Sequence, residues 1–299
     1  MEKKIIIDKK YNPYLAKIFS NKVIADLVKY GDSGYFNEIL KNSGFMNYLG
    51  DDPKFLDVFG EVYKYLSKSY RNEYIYKNAI ANKILLGRHS LNTSFMITEF
   101  RVENCKADTV ILNGTSNVYE IKSELDSLDR LENQICAYQK LFDMVHVISA
   151  TDQIKKIKQS LPQNVGLMEL TPRNTIRTIR EAKSGKKTVS PEVIFNSLRK
   201  SEYLSIIKKQ FGSVPQVPNT EIYKKCKKLF TQLSPEIAHD FMVDHLKRRG
   251  NSKTLKDFIK SVPYPLKAFA LNSRLKLKEE KNLIEILNTR YERSYSKFI

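Results

Sequence analysis

The sequence has few cysteines and no long apolar run, and each shortage excludes a class of protein. No stretch of about 18 uncharged apolar residues occurs, so no membrane-spanning helix is predicted. The apolar run near the start, Ile5–Ile7, is too short for a secretory signal. Three widely spaced cysteines, Cys105, Cys136 and Cys226, match neither a zinc pattern nor a disulfide framework. A reducing cytoplasm is therefore the predicted compartment.

Positive charge is abundant and uneven in this chain of 299 residues, whose formal net charge is +18. Residues 1–170 carry 23 Lys/Arg and 21 Asp/Glu, a net charge of +2, whereas residues 171–299 carry 28 and 12, a net charge of +16. A basic half favours a polyanionic partner, because binding to phosphates releases their counterions. A solvated basic surface would give the same composition, but the asymmetry makes nucleic acid the predicted partner.

The periodicity of apolar residues divides the chain into three parts. Apolar residues at helical spacing predict a helical N-terminal segment over residues 1–70. Residues 71–180 form the predicted α/β core, which opens with a helix from near Arg71 or Asn72 to Gly87. A basic helical domain over 190–299 follows a linker at 181–190. The core is predicted to contain strands at 94–103, 108–113, 117–122, 144–149 and 165–170, and helices at 127–142 and 152–160.

Three residues on two of these strands, Asp108, Glu120 and Lys122, form a constellation that could carry chemistry. Side chains two apart on a strand point to the same face, so Glu120 and Lys122 project together, and the hairpin places Asp108 across from them. Paired carboxylates suit a hard divalent cation such as Mg²⁺. A nearby ammonium suits the orientation of a water molecule or the stabilisation of negative charge. An exposed strand salt bridge is the alternative interpretation.

This combination resembles the PD-(D/E)XK signature of restriction-type and repair nucleases. Ala107 stands where the signature has proline, a departure that is common in the superfamily. Glu73, on the helix before the first strand, matches the further acidic ligand of many of these nucleases. Gln134 and Tyr138 match the Gln-x-x-x-Tyr motif of the RecB-like and lambda-exonuclease-like branch. Residues 70–170 also resemble a poorly characterised bacterial family of stand-alone nuclease-like proteins.

The resemblance implies a restriction-endonuclease-like core, in which helices flank a central mixed sheet, and a Mg²⁺- or Mn²⁺-dependent deoxyribonuclease activity. It favours DNA over RNA as the substrate, and defence against phage, repair or mobile-element processing are the implied settings. The implied catalytic residues are Asp108, Glu120, Lys122, Gln134 and Tyr138. The implied metal ligands are Glu73, Asp108, Glu120 and the main-chain carbonyl of Ile121.

Basic residues outside this constellation are predicted to contact nucleic acid without recognising sequence. A solvated helix face explains them equally well. Arg173, Arg177 and Arg180 add to the basic character of this half. The predicted contacts are Arg88, Lys106, Lys224, Lys225, Lys227, Lys228, Lys247, Arg248 and Arg249.

Other charged residues have less specific interpretations. Glu99, Arg101 and Glu103 are interpreted as a charge ladder on an edge strand or as substrate contacts. His146, within a short apolar strand, is predicted to be a core histidine whose hydrogen bonds are satisfied.

Two further functions are compatible with the sequence. A non-catalytic nucleic-acid-binding module could use the same fold, although intact acids and lysine argue against it. An RNA-directed toxin nuclease would use the same chemistry on another polymer. A homodimer and a complex with a partner protein are both compatible with the sequence.

Overall fold

The computed structural model describes residues 5–250 and 253–292. Among these residues no helix combines the length and the apolar character that a bilayer crossing requires. In chain order the α-helices are α1 (Asn12–Leu15), α2 (Asn21–Tyr30), α3 (Gly34–Asn42), α4 (Phe55–Ser69), α5 (Glu73–Ile80), α6 (Leu86–Arg88), α7 (Leu131–Gln139), α8 (Ile154–Ser160), α9 (Pro191–Ser197), α10 (Lys200–Phe211), α11 (Asn219–Phe230), α12 (Pro235–Arg248), α13 (Lys253–Ser261), α14 (Lys267–Asn272) and α15 (Leu277–Leu287). A π-helical turn lies at Ala81–Leu85, and 3-10 turns lie at Lys9–Tyr11, Ala16–Phe19, Phe45–Tyr48, Lys186–Thr188 and Tyr264–Leu266.

The described strands form one six-stranded mixed sheet. They are β1 (Phe95–Val102), β2 (Cys105–Leu112), β3 (Ser116–Lys122), β4 (Met144–Ala150), β5 (Gly166–Leu170) and β6 (Ile176–Arg180). The sheet follows chain order, with β1, β2 and β3 antiparallel, β3, β4 and β5 parallel, and β6 antiparallel to β5. Helices α7 and α8 make the crossovers that parallel neighbours require. The predicted α/β class, a mixed sheet flanked by helices, is confirmed.

The five predicted strands are present, and the differences from prediction lie at element ends and at β6. Strand β2 begins at Cys105, three residues before the predicted start. Helix α7 begins at Leu131 rather than near Ser127, because the Ser127 hydroxyl bonds Asp129 in a local turn instead of capping the helix. Strand β6 was not predicted, since its five residues include Arg177 and Arg180 and carry little apolar signal.

The described chain packs as two compact units. One consists of the described residues of Met1–Ile84, Pro172–Asn174 and Ser252–Ile299, and the other of those of Leu85–Thr171 and Thr175–Asn251. This division differs from the predicted segments 1–70, 71–180 and 190–299. Helices α9–α12 share the hydrophobic core of the sheet, whereas α13–α15 belong to the first unit. Long-range packing of this kind leaves no local trace in sequence.

Helix α7 covers one face of the sheet in the second unit. Its apolar residues Leu131 and Ile135 pack in the cluster that contains Val110, Val118 and Val147 from three successive strands. The polar residues on the same side of α7 are therefore held at a fixed distance from the sheet, where they can contact its side chains.

Candidate active site

Glu120 and Lys122 lie near the carboxyl end of β3, on the face that α7 covers. Their alternation with Ile121 places both side chains on one side, as the sequence predicts. Lys122 Nζ is 3.1 Å from Glu120 Oε1. Glu120 is 1% exposed and Lys122 5%, so this is a buried ion pair and not an exposed strand salt bridge.

Asp108 lies on β2 opposite Glu120, as the pairing of Thr109 with Tyr119 requires. Its Oδ2 accepts a hydrogen bond of 2.7 Å from the main-chain N–H of Ile121. The structure therefore brings together the three residues of the predicted constellation. The N–H and C=O of one strand residue point to the same side, so the carbonyl of Ile121 is also directed toward β2.

Helix α7 supplies a partner for each member of the ion pair. Gln134 Oε1 accepts a hydrogen bond of 2.9 Å from Lys122 Nζ. One turn later the Tyr138 hydroxyl lies 2.8 Å from Glu120 Oε2 and 3.0 Å from the carbonyl of Lys106. The two motif residues thus orient the glutamate and the lysine, and Tyr138 is fully buried. The Tyr138 hydroxyl thus contacts both a carboxylate and the main chain.

Burial governs the electrostatics of this group. Loss of solvation raises the pKa of the Glu120 carboxyl, and the Lys122 ammonium and the Tyr138 hydroxyl oppose that rise. Burial together with the Glu120 charge raises the pKa of Tyr138, which keeps its hydroxyl protonated as a hydrogen-bond donor. The Glu120–Lys122 pair therefore lies in a water-poor environment, where a charge acts on a bound anion more strongly than in water.

Glu99 joins Asp108 in a way that the sequence did not predict. The β1–β2 register places Glu99 opposite Asp108, and a carboxylate oxygen of each lies within 4.8 Å of the other. Glu99 has a φ of 57°, which a non-glycine residue rarely adopts. Ile97 and Phe100 both contact the core cluster, although unbroken alternation would place them on opposite faces. The backbone distortion at Glu99 thus sits beside the candidate site.

The charge-ladder interpretation of β1 is wrong. Strand β1 ends at Val102, and Glu103 lies in the turn with a φ of 51°. Glu103 pairs with Lys140 of the α7 C-terminus at 2.9 Å instead of continuing a strand face. Glu99 forms an ion pair with Lys106. No periodic signal in the sequence marks either positive φ angle.

Glu99 and Asp108 offer the kind of carboxylate oxygens that a hard divalent cation would take. Oxygens on one Mg²⁺ at about 2.1 Å each lie at most about 4.2 Å apart, and Asp108 and Glu99 each offer a carboxylate oxygen within 4.8 Å of the other. Both Glu120 oxygens are bonded within the protein, so this residue would exchange a partner to bind a metal. Glu73, the other predicted ligand, begins α5 in the first unit and pairs there with Lys77 at 2.5 Å.

The predicted nucleic-acid contacts fall into exposed and paired groups. Arg249 is the clearest paired residue, because its guanidinium binds Glu202 through two bonds of 2.7 and 2.6 Å. Lys227 pairs with Glu192 at 2.8 Å, and Arg248 lies 3.7 Å from Asp244. Lys247 is half-buried. The exposed members are Arg88 on α6 and Lys224, Lys225 and Lys228 on α11, and Lys106 and Arg248 are exposed as well despite their ion pairs.

His146 lies on the opposite face of the same strands. Its ring stacks on Tyr119 with centroids 4.8 Å apart, and within the described residues neither ring nitrogen has a hydrogen-bond partner. The prediction of a core histidine is confirmed, but the prediction of satisfied hydrogen bonds is wrong. A Cβ at Gly166 would lie 2.5 Å from His146 Nδ1, so glycine is required there for the ring to fit. Burial lowers the pKa of His146 to about 4.

We expect this histidine to weaken the fold in acid. The folded-state pKa lies below the ordinary value of 6.5, so the unfolded chain binds the proton more tightly. Stability should therefore fall as pH drops from about 6.5 to 4, by up to about 3 kcal/mol. Urea unfolding across this range tests the expectation. His146→Phe should remove the dependence, whereas Tyr119→Phe, which keeps the ring stack, should retain it. An unchanged pH dependence in His146→Phe would contradict it.

Fold and site together define a mixed α/β protein with a buried, polar cluster at the end of a central parallel strand. A family model described as bacteriophage P4 protein cII matches residues 67–268. This match spans more than half of the chain, which therefore belongs to the bacteriophage P4 protein cII family.

One curated relative and one solved structure give the scale of the similarity. Protein cII of Enterobacteria phage P4 is 26% identical over an alignment of 174 residues, and the match covers 56% of this chain and 64% of that protein. The chain thus matches a little less than two thirds of that relative's length. A protein of unknown function from Silicibacter pomeroyi matches with a TM-score of 0.31 and 14% identity, covering 47% of this chain and 93% of that protein.

Proposed function

We propose that this chain is a metal-dependent nuclease that hydrolyses phosphodiester bonds, DNA in preference to RNA, on a PD-(D/E)XK core. The observation that carries the proposal is the joint placement of Asp108, Glu120 and Lys122 by two adjacent strands. Gln134 and Tyr138 hold the lysine and the glutamate in position from one helix face. A buried ion pair adds little to stability, which makes a chemical role the better explanation for this one.

Lys122 is the residue that acts on the phosphate in this proposal. Its ammonium is fixed by Glu120 and Gln134, so it needs no reorganisation when negative charge develops on a phosphoryl oxygen. The same group can orient a water molecule toward the phosphorus. Asp108, together with Glu99, Glu120 and the Ile121 carbonyl, would hold Mg²⁺ or Mn²⁺. The bound metal would polarise the phosphoryl group and lower the pKa of a water.

The biological setting is proposed from the relative. Protein cII belongs to a phage, so we place the activity in the processing or control of mobile DNA. Anti-phage defence and repair are the other settings that the resemblance implies.

A non-catalytic nucleic-acid-binding module is the second candidate. One observation favours it: both carboxylate oxygens of Glu120 already have partners, and the residue is 1% exposed. In a binding module the hydrogen bonds of Glu120 would serve only to hold α7 against the sheet. An exchange of Glu120 partners on metal binding distinguishes the nuclease from it.

Incubation with a panel of substrates tests the proposal. The purified chain should cleave at least one of linear duplex, circular plasmid, single-stranded DNA and RNA in Mg²⁺ or Mn²⁺, and EDTA should abolish cleavage. Asp108→Asn should remove the activity, because the amide cannot supply a charged ligand. Asp152→Asn, an exposed acid before α8, is the matched control and should cleave normally. Binding without cleavage of any substrate would favour the binding module.

A further inference from the structure

A line of polar side chains crosses the sheet at the carboxyl ends of its parallel strands. The register pairs Lys122 of β3 with Ser149 of β4, Ser149 with Glu169 of β5, and Glu169 with Arg177 of β6. Adjacent strands are about 4.8 Å apart, so Arg177 lies about 14 Å from Lys122 along this edge. The Ser149 hydroxyl donates a hydrogen bond of 2.7 Å to the carbonyl of Lys122, which connects this row of side chains to the candidate active site.

Arg177 is held by a carboxylate that is itself almost fully buried. Glu169 is 2% exposed, and its Oε1 accepts a bond of 2.5 Å from the Thr151 hydroxyl. Its Oε2 accepts from Arg177 Nε at 2.8 Å and from Nη2 at 2.5 Å. A guanidinium has five N–H donors, and two of them are used here, so three remain. The Arg177 side chain is 65% exposed, which leaves those donors accessible to a ligand.

We propose that Arg177 binds a backbone phosphate of the nucleic-acid strand whose scissile phosphate lies at Lys122. Ligands of open α/β sheets bind at the carboxyl ends of the parallel strands, which is where this line runs. A fixed, forked guanidinium matches phosphate geometry better than a mobile lysine. A separation of about 14 Å lets both groups contact phosphates of one bound strand. This inference rests on the proposed function and adds a positioning contact to it.

Binding of a fluorescent oligonucleotide in EDTA tests the proposal without cleavage. Arg177→Gln should weaken the affinity for a labelled 20-nucleotide single strand or duplex about tenfold. It should also reduce the slope of log affinity against log salt by about one, because one phosphate contact is lost. In Mg²⁺ the KM should rise while kcat stays within about threefold. Arg177→Lys should recover the salt slope and only part of the affinity.

Arg173 provides the matched control. It lies in the turn between β5 and β6 and is also exposed, so Arg173→Gln makes the same change in net charge. Its effect on affinity should be smaller than that of Arg177→Gln. Because Arg177→Gln removes the Arg177 guanidinium from the buried Glu169 carboxylate, the double variant Glu169→Gln/Arg177→Gln serves as a control without that charge and should bind as weakly.

The outcomes separate this inference from the nuclease proposal. Cleavage with an unchanged KM in Arg177→Gln would overturn the inference and leave the nuclease intact. Binding that depends on Arg177 in a chain that cuts nothing would overturn the nuclease alone. Equal losses in Arg173→Gln and Arg177→Gln would show only net charge and would overturn the inference. Failure of the unmodified chain to bind either oligonucleotide would overturn it as well.

Discussion

Replacing Lys122 by alanine should lower the rate of metal-dependent cleavage by about 100- to 1000-fold. This is the range observed when one preorganised donor to a developing negative charge is removed. The ammonium is 3.1 Å from Glu120 and 2.9 Å from Gln134, so its position does not depend on the substrate. The loss should appear in kcat, because the contact strengthens in the transition state. Single-turnover cleavage of a labelled duplex measures it.

Two controls separate catalysis by Lys122 from its structural role. Lys158→Ala removes an exposed lysine of α8 and should cleave at the wild-type rate. Lys122→Arg keeps the charge but replaces a compact ammonium by a planar fork, so it should restore folding more fully than cleavage. An Lys122→Ala protein that folds, binds DNA and cleaves within threefold of wild type would remove Lys122 from the proposed mechanism.

Replacing Glu202 by alanine should lower the free energy of unfolding by about 3 to 5 kcal/mol. The carboxylate makes two bonds to Arg249, and the side chains of Glu202 and Arg249 are 11% and 18% exposed. Removing one partner leaves a largely buried charge without compensation. Glu202 also accepts a bond of 2.7 Å from the main-chain N–H of Arg199, which caps α10. Urea unfolding at neutral pH measures the loss.

The matched control for Glu202 is Glu221, an exposed glutamate in the first turn of α11. Glu221→Ala removes only a favourable interaction with the helix dipole and should cost less than about 1 kcal/mol. A loss of less than 1 kcal/mol in Glu202→Ala would contradict the expectation. In that case Arg249 would be available to nucleic acid, as the sequence alone predicts. The ion pair instead commits the Arg249 guanidinium to Glu202.

Local patterns predicted those parts of the molecule that depend on local chemistry. Runs rich in β-branched and aromatic residues located five strands, because such side chains pack well on a pleated surface. Alternation on β3 placed Glu120 and Lys122 on one face, and helical spacing placed Gln134 and Tyr138 on one side of α7. Each of these relations lies within one element or between two neighbouring elements, so the local sequence is enough to predict it.

Relations that depend on distant packing could not be predicted. Glu99 lies opposite Asp108 through the β1–β2 register, and its positive φ interrupts the period that a sequence pattern measures. Strand β6 forms by pairing with β5, and Arg177 becomes a held guanidinium only through that pairing. The choice of Glu202 as the partner of Arg249 joins residues 47 positions apart. Charge alone therefore could not show that Arg249 is held by Glu202.

Cleavage by Glu120→Gln is the measurement that tests the nuclease proposal most directly. The amide keeps the volume of Glu120 and can still bond Tyr138, but it cannot act as a charged ligand or pair with Lys122. We expect a folded protein that binds DNA and has lost Mg²⁺-dependent cleavage. A folded Glu120→Gln protein that cuts DNA as fast as the unmodified chain would contradict this expectation.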